Sequence, residues 1–269
     1  SRRISQLERR LGTKLVERAG NATTPTALGR VYFEQLARIA GEIETIEARV
    51  RGENATPSGL LRVTAAIDFG QEHLTDWLLE FRAIYPDVEF DLILASGAVD
   101  LVQNNIDVAI RVGELTDSRL LARKLAEAPR VLVAAPSYLA RRGTPETPAE
   151  LEDHEFVFFS PANRTQPMVL IDAAGKRHEV QRSRGVAINA VRSAVKAVTA
   201  GQGVHGGPLW AFDRALAAGD VVTILPDYRQ PSFPLYAVRQ PSTITPERIS
   251  RFIDFLAGKI KTVNGFARP

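Results

Sequence analysis

The segment LLRVTAAIDFGQEHLTDWLLEFRAIYPDVEFDLIL, residues 60–94, decides the fold class. Leu60–Ala66 is short and mostly apolar, which predicts a strand. Phe69–Tyr85 predicts a helix that stops before Pro86, because proline disfavours the helical conformation of the residue before it. Val88–Leu94 predicts a second strand. A strand, a helix and a strand in this order are typical of a parallel sheet with helices on its faces.

The same alternation continues to the C-terminal end of the chain. Further strands are predicted at Ile106–Val112, Arg130–Ala135, Phe156–Phe159, Val169–Ile171, Val221–Leu225 and Leu235–Val238. Further helices are predicted at Val99–Asn104, Ser137–Arg142, Leu209–Ala218, Ile249–Ile260 and after Asn189, which is placed to cap its helix. Residues 59–269 exceed what one sheet usually holds, so we expect an α/β domain of two lobes. The first lobe is predicted at about 59–158 and 236–269, and the second at about 159–235.

The N-terminal segment carries most of the positive charge. Residues 1–30 contain seven basic and two acidic residues, a net +5, whereas the whole chain carries only +3. Arg2–Leu11 shows a helical apolar face that Gly12 ends, and Lys14–Arg18 and Ala22–Thr24 predict a small hairpin. A helix followed by a basic hairpin is the shape of a winged helix-turn-helix from its recognition helix onward. A polyanion partner and a merely solvated basic face both fit the charge.

A long helix follows, with Thr24 as the expected cap and Pro25 at its first position. Its apolar residues recur at intervals of 4, 4, 3, 4, 3 and 4, which is a heptad seam. The seam consists of Leu28, Tyr32, Leu36, Ile39, Ile43, Ile46 and Val50. We predict a dimerisation helix whose contacts are made by Tyr32 through Val50 of this series. The alternative is an amphipathic helix lying on the core of its own chain.

Several classes of function lack support in the sequence. There is no Cys, no stretch of about 18 apolar residues that could span a membrane, and no ligand spacing among the four His. Gly201, Gly203 and Gly206 match G-x-G-x-x-G, but a predicted helix precedes them where a dinucleotide site needs a strand. We therefore predict no enzyme activity, no metal, no cofactor and no membrane contact, although an enzyme on an α/β scaffold stays a further hypothesis.

Four stretches together resemble the LysR-type transcriptional regulators over nearly the whole chain. Residues 1–18 resemble the recognition helix and wing, and TPTALG (24–29) resembles the start of the linker helix. GLLRV (59–63) with FRAIYPDV (81–88) resembles the first β–α–β of the effector domain. DVAIRVG (107–113) and residues 132–139 and 143–145 continue the match. A complete member is expected to begin some 30 residues before Ser1.

The resemblance implies roles for individual residues. Double-stranded DNA is the expected partner of Ser1, Arg2 and Arg3 in the groove, and of Arg18 at the backbone or minor groove. Arg9 and Arg10 are expected on a solvated face. The effector domain should resemble the two-lobed periplasmic-binding-protein fold, with a small effector between its lobes. The expected lining is Ile67, Asp68, Phe69, Val112, Gly113, Asn189, Val191, His205 and Gly206.

Plain packing is an open alternative for the apolar members of this lining, and a structural role for His205. Asp68 is expected to cap the helix that begins at Phe69, with Gln71 completing a capping box. Its charge would repel an acid there, so we expect an effector that is neutral or carries an amine.

The sequence thus predicts a cytoplasmic, ligand-responsive DNA-binding regulator that forms a homodimer or homotetramer. Its expected parts are a partial winged helix-turn-helix (1–24), a dimerisation linker helix and hinge (25–58) and an effector-binding domain (59–269). The alternative is a solute-binding protein of periplasmic-binding-protein type without a DNA function, for which the basic hairpin and the heptad helix would have no use.

Overall fold

The computed structural model describes residues 2–19, 22–50, 56–115, 119–242 and 245–266. The strands, numbered along the chain, are β1 (Val16–Ala19), β2 (Ala22–Pro25), β3 (Gly59–Ala66), β4 (Val88–Ala95), β5 (Val108–Val112), β6 (Leu121–Ala128), β7 (Arg130–Ala134), β8 (Phe156–Phe158), β9 (Met168–Ile171), β10 (Arg177–Val180), β11 (Gly185–Ala187), β12 (His205–Pro208), β13 (Val222–Thr223) and β14 (Phe233–Arg239). The α-helices are α1 (Arg2–Leu11), α2 (Ala27–Val50), α3 (Ile67–Phe69), α4 (Thr75–Ile84), α5 (Pro136–Arg142), α6 (Val191–Thr199), α7 (Leu209–Ala217) and α8 (Glu247–Lys259).

The N-terminal helix and hairpin are joined by one buried carboxylate. β1 and β2 pair antiparallel after α1. The Oε1 atom of Glu8 on α1 accepts hydrogen bonds from the backbone N–H groups of Leu15 at 2.8 Å and Val16 at 3.2 Å. These two hydrogen bonds, followed by the nearby Lys14, hold the pKa of Glu8 below its ordinary value. The orientation of the hairpin on α1 is therefore fixed by Glu8.

The long helix α2 begins later than the sequence predicts. β2 extends through Pro25, so α2 begins at Ala27. The Oγ1 atom of Thr26 accepts the N–H of Gly29 at 2.9 Å. Thr26 is therefore the capping residue, and the prediction of Thr24 was wrong because Thr24 and Pro25 belong to the hairpin.

Two groups of strands follow, which we call the first and second lobes. The first lobe contains a five-stranded sheet in the order β4-β3-β5-β14-β6, in which β3 pairs parallel with β4 and β5 while β14 is antiparallel to β5 and β6. The second lobe contains the sheet β12-β7-β13 and the pairs β8–β11 and β9–β10. Separate apolar clusters fill the two lobes, around Phe81 and Phe252 in the first and around Tyr138, Phe156 and Phe212 in the second.

The boundary between the lobes lies earlier than predicted. The chain leaves the first sheet after β6 and enters the second lobe at Arg130, because β7 pairs with β12 and β13. The predicted start at about residue 159 is therefore too late. The chain returns to the first sheet at Phe233, close to the predicted residue 236. The two crossings place Arg130 and Phe233 side by side, with the Arg130 guanidinium 4.5 Å from the centre of the Phe233 ring.

Two predicted helices also differ from the structure. Val99–Asn104 is a series of turns rather than a helix. The side chain of Asp100 accepts the N–H groups of Val102 and Gln103, which is the local competition by which aspartate favours turns. The helix predicted from Phe69 begins at Ile67 and contains a π-helical turn, Gly70–Leu74, before α4.

Candidate functional site

A cavity of about 500 Å³ lies between the two lobes. It is bounded by the carboxyl ends of β3, β4 and β5, by α3, and by the facing parts of β7, β12 and the start of α6. Carboxyl ends of strands and helix N-termini are where open α/β sheets usually bind ligands. The size and position of this cavity suit a small organic molecule.

Most of the residues predicted to line an effector site surround this cavity. Those that do are Asp68, Phe69, Val112, Gly113, Val191, His205 and Gly206. Ile67 and Asn189 are not among the lining residues. The side chain of Ile67 is 39% exposed, and Asn189 precedes α6, which begins only at Val191. Whether the seven lining residues bind an effector stays a prediction.

Asp68 joins the two lobes rather than capping its own helix. Its carboxylate accepts the backbone N–H of Val191 at 2.9 Å and that of Arg192 at 3.1 Å. It therefore caps α6, in the other lobe. The predicted caps were wrong in two respects: α3 begins at Ile67, which makes Asp68 its second residue, and α6 receives no cap from Asn189.

Charged pairs and aromatic rings extend this contact. Glu72 in the first lobe forms ion pairs with Arg192 and Arg214 in the second, the latter at 2.8 Å. Together with Asp68 these residues form what we call the interlobe clasp. Behind it, the ring centroid of Trp210 lies 5.4 Å from that of His73. Burial among these rings holds the pKa of His73 below its ordinary value.

We predict that Asp68→Ala weakens the clasp measurably. The change leaves two N–H groups at the start of α6 without their acceptor, and loss of such a cap costs about 0.5–2 kcal/mol. Urea unfolding of the variant should show that loss. Asp68→Asn is the matched control, since its amide oxygen still accepts a hydrogen bond and should retain most of the stability. Equal stability of wild type and Asp68→Ala would contradict the capping role.

His205 is a buried residue that lines the cavity. Its Nδ1–H donates to the carbonyl oxygen of Val157 at 2.6 Å, since a carbonyl can only accept. Burial lowers the pKa of His205 to about 4, and the positive charges of Arg130 and Arg182 act in the same direction. The imidazole is therefore neutral at pH 7. These contacts give His205 a structural role besides its place in the cavity wall.

The fold should become less stable in acid because of His205. In the unfolded chain the His205 imidazole binds a proton below its ordinary pKa of about 6.5. In the folded protein the imidazole stays neutral until the pH falls to about 4. The stabilisation is therefore complete above pH 6.5 and is lost as the pH falls toward 4, by about 2 kcal/mol between pH 7 and pH 5. Urea unfolding of wild type and His205→Gln at both pH values measures this. An identical pH dependence of the two proteins would contradict the assignment.

The three glycines of the G-x-G-x-x-G pattern have structural explanations. Gly201 follows α6 with φ of +72°, a left-handed conformation that favours glycine at a helix end. Gly203 has φ of +145°, and a Cβ there would lie 2.4 Å from the carbonyl oxygen of Glu155. Gly206 lies on β12 against the side chain of Gln230. The helix predicted before the pattern is confirmed as α6.

Arg130 is a charged residue of the cavity that sequence reasoning did not single out. Its Nη2 donates to the carbonyl oxygen of Gly206 at 3.1 Å, whereas its Nε has no hydrogen-bond acceptor among the described residues. Burial, followed by the charge of Arg182, lowers the pKa of Arg130 to about 10, so it stays cationic at pH 7. The sequence feature that could have identified Arg130 is its position as the single charged residue at the start of the otherwise apolar strand RVLVA.

Arg2 and Arg3, which are predicted to contact DNA, are not among the residues that line the cavity. Arg2 and Arg3 are exposed on α1. Arg18 lies on β1, but its side chain and Ser1 fall outside the described residues. On α2 six of the seven seam residues are exposed, from 39% for Ile46 to 83% for Val50, and Tyr32 is partly buried. The hydroxyl of Tyr32, another member, accepts a hydrogen bond from Arg10 at 3.5 Å.

The described ranges contain neither a candidate membrane-spanning helix nor a candidate metal site. No helix there is both long and apolar enough to cross a membrane. No three or more His, Asp or Glu side chains in the same ranges converge on a point that could hold a metal ion.

These features define a class of protein. Its members have a ligand-binding α/β domain of two lobes with a cavity between them, attached to an N-terminal helical and hairpin segment. A family model described as the LysR substrate binding domain matches residues 54–261. The chain belongs to the LysR-type transcriptional regulators, which confirms the resemblance seen in the sequence. It is thus a regulator of transcription.

The relatives agree with this assignment. An HTH-type transcriptional repressor of Pseudomonas aeruginosa is 30% identical over 257 residues, which is 95% of this chain and 81% of that protein. The transcriptional activator AaeR of Escherichia coli is 29% identical and covers 95% and 82%. The full-length structure of the Vibrio cholerae virulence activator AphB has a TM-score of 0.66 at 26% identity, covering 96% and 88%. CrgA of Neisseria meningitidis, a LysR-type regulator, has a TM-score of 0.67 at 27% identity, covering 96% and 87%.

Proposed function

We propose that this regulator binds a small effector in the interlobe cavity and double-stranded DNA through its N-terminal segment. The observation that carries the proposal is the cavity of about 500 Å³, whose walls come from both lobes. A ligand there touches both lobes at once and favours the arrangement of the lobes to which it binds more tightly. In this way binding in the cavity would change the DNA contact.

The remaining parts of the proposal concern the N-terminal segment and the assembly. α1 and the β1–β2 hairpin would form the last part of a winged helix-turn-helix, with Arg2, Arg3 and Arg18 at the DNA. The exposed seam of α2 would pair with that of a second copy, as a homodimer or as a homotetramer built from dimers. The effector domain would have the periplasmic-binding-protein architecture, the protein would act in the cytoplasm, and no catalytic role is proposed.

A thermal-shift screen of small metabolites tests the effector site. A ligand present at 100 times its dissociation constant should add about 2.7 kcal/mol to the stability. Val112→Trp is the matched variant, because Val112 lines the cavity and its side chain is 43% exposed, so a larger ring fills space without entering the core. Hits that stabilise wild type but not Val112→Trp support the proposal. Hits that stabilise both proteins equally would place the ligand elsewhere.

A further inference from the structure

The segment that follows α8 contacts both lobes. Val263 and Phe266 pack against the apolar core of the first lobe. Between them in the chain, the Nδ2 atom of Asn264 donates to the carboxylate of Asp213, on α7 of the second lobe, at 2.6 Å. We call residues 263–266 the strap, because this short segment joins the core of one lobe to a helix of the other.

The strap approaches α7 so closely that its third residue has to be glycine. Gly265 has a φ of +86°, in the left-handed region that favours glycine. A Cβ atom there would lie 2.7 Å from the backbone nitrogen of Trp210, closer than non-bonded atoms approach. Gly175, in the turn between β9 and β10, has a similar φ of +82°, but a Cβ there would meet no described atom within 4 Å. The close contact with α7 therefore distinguishes Gly265 from a glycine that its φ alone explains.

The ring of Phe266 lies among aromatic rings of both lobes. It stacks on Trp210 of α7, with the ring centroids 6.5 Å apart and 8° between the ring planes. Toward the first lobe, its centroid lies 6.2 Å from that of Phe69 and 6.0 Å from that of His73. Phe69 and Trp210 also line the interlobe cavity. Undocking of the strap would therefore remove a packing partner from two rings of the cavity wall.

The strap is a different kind of tie from the ion pairs of the clasp. The side chain of Arg214 is 86% exposed and that of Arg192 is 58% exposed, and solvent screens exposed ion pairs so that they contribute little. The strap instead combines ring packing with a hydrogen bond to a charged acceptor. It is also short and lies outside the helices and strands. Such a segment can dock and release as one unit by local opening.

We propose that the strap is a lock, which holds the two lobes in one arrangement while it is docked on α7 and allows them to move relative to each other when it is released. Movement of packed lobes about the segments that connect them is a common conformational change in two-lobed domains. The lock would set the populations of the two arrangements, on which any ligand then acts. The proposal goes beyond the effector site and stands whether or not the cavity binds a ligand.

The docking of the strap can be followed by fluorescence, because the chain contains two Trp. In a Trp77→Phe background, Trp210 is the remaining reporter. Gly265→Ala should shift its emission to longer wavelengths, because the indole loses the Phe266 ring and meets water. Gly175→Ala is the matched control, with the same backbone strain but no close contact, and should leave the emission unchanged. Equal emission from the two glycine variants would contradict the docking of the strap.

The arrangement of the lobes can be measured with two spin labels, because the chain contains no Cys. Glu89→Cys on β4 and Lys196→Cys on α6 place exposed labels on the two lobes. Full-length protein labelled at both positions is assembled with an excess of unlabelled chains, so that pulsed electron paramagnetic resonance reports the distance within one chain. The parent and Gly175→Ala should show one narrow distance distribution. Gly265→Ala should show a second or a broader one.

An exchange of side chains tests the same lock without backbone strain. Asn264→Asp places a second carboxylate against Asp213, and the repulsion of like charges should release the strap. Adding Asp213→Asn lets the amide and the carboxylate change places, so the pair can form its hydrogen bond again. The double variant should regain the parent emission and the single narrow distance.

Two results would overturn the lock. One is a distance distribution that stays as in the parent although the fluorescence shows the strap undocked. The other is a double variant that remains as open as Asn264→Asp alone, since the Asn264–Asp213 contact would then not hold the lobes. No ligand is used in these measurements, so their failure would leave the proposed effector site untouched.

Discussion

Replacing both Ile39 and Ile43 by aspartate should convert the protein into monomers. The two side chains are about half exposed in the single chain, at 51% and 50%, in the middle of the seam. α2 contacts the effector domain beside the seam, where the Gln35 amide donates to Asn105 at 2.7 Å. The exposed side chains of Ile39 and Ile43 remain available to a second copy.

The expected size of this effect follows from burial. Full burial of an Ile side chain is worth about 1.5–3 kcal/mol. Each of the four side chains in a twofold pair of helices is already about half buried in the single chain, so pairing would contribute about 3–6 kcal/mol. Light scattering after gel filtration measures the mass, and urea unfolding checks that the effector domain stays folded. The double variant Ile39→Leu with Ile43→Leu is the control and should keep the wild-type mass. An aspartate variant of unchanged mass would contradict the dimerisation role of α2.

Replacing Arg2 and Arg3 by glutamate in the full-length protein should abolish specific DNA binding. Each Arg that contacts a guanine edge is worth about 1–3 kcal/mol, so loss of both implies a reduction of about 30-fold to 10⁴-fold, and the reversed charges add repulsion from the phosphates. Gel-shift titration on a selected DNA site measures the change. Arg82→Glu is the control for net charge, since Arg82 is exposed on α4 in the effector domain, and it should bind DNA nearly as wild type does.

If the variant with Arg2→Glu and Arg3→Glu binds DNA as well as Arg82→Glu does, then Arg2 and Arg3 are not part of the DNA interface. In that case only general electrostatic attraction would remain for the basic segment.

The sequence was informative where the local pattern and the tertiary structure agree. The β–α–β unit of residues 60–94 was predicted because both strands are apolar and Pro86 marks the helix end. By contrast, β6 was not predicted, since its sequence LARKLAEA lacks the β-branched and aromatic residues typical of strands. It forms a strand because β14 pairs along its length. Without β6, the crossing at Arg130 and the lobe boundary were misplaced.

The cavity was predictable in outline, but not its contacts. Positions after strands were expected to line it, and seven of nine do. The partner of Asp68 lies 123 residues away in the chain, and no local rule identifies such a pair. The capping preference of aspartate was correct as chemistry but was applied to the wrong helix. Arg130 was missed for the same reason, since the lack of a counter-charge becomes visible only when the neighbours are known.

Ligand-controlled DNA binding is tested most directly by selection of DNA sites from a random pool with the full-length protein, with and without a ligand that binds the cavity. We predict one enriched sequence with approximate twofold symmetry, which the ligand-bound protein binds with a different affinity or footprint. We also predict an affinity that falls by a factor of about 10³ or more between 50 and 200 mM salt, as expected for six or more phosphate contacts. No enriched sequence, together with an affinity that depends on neither salt nor ligand, would contradict ligand-controlled DNA binding.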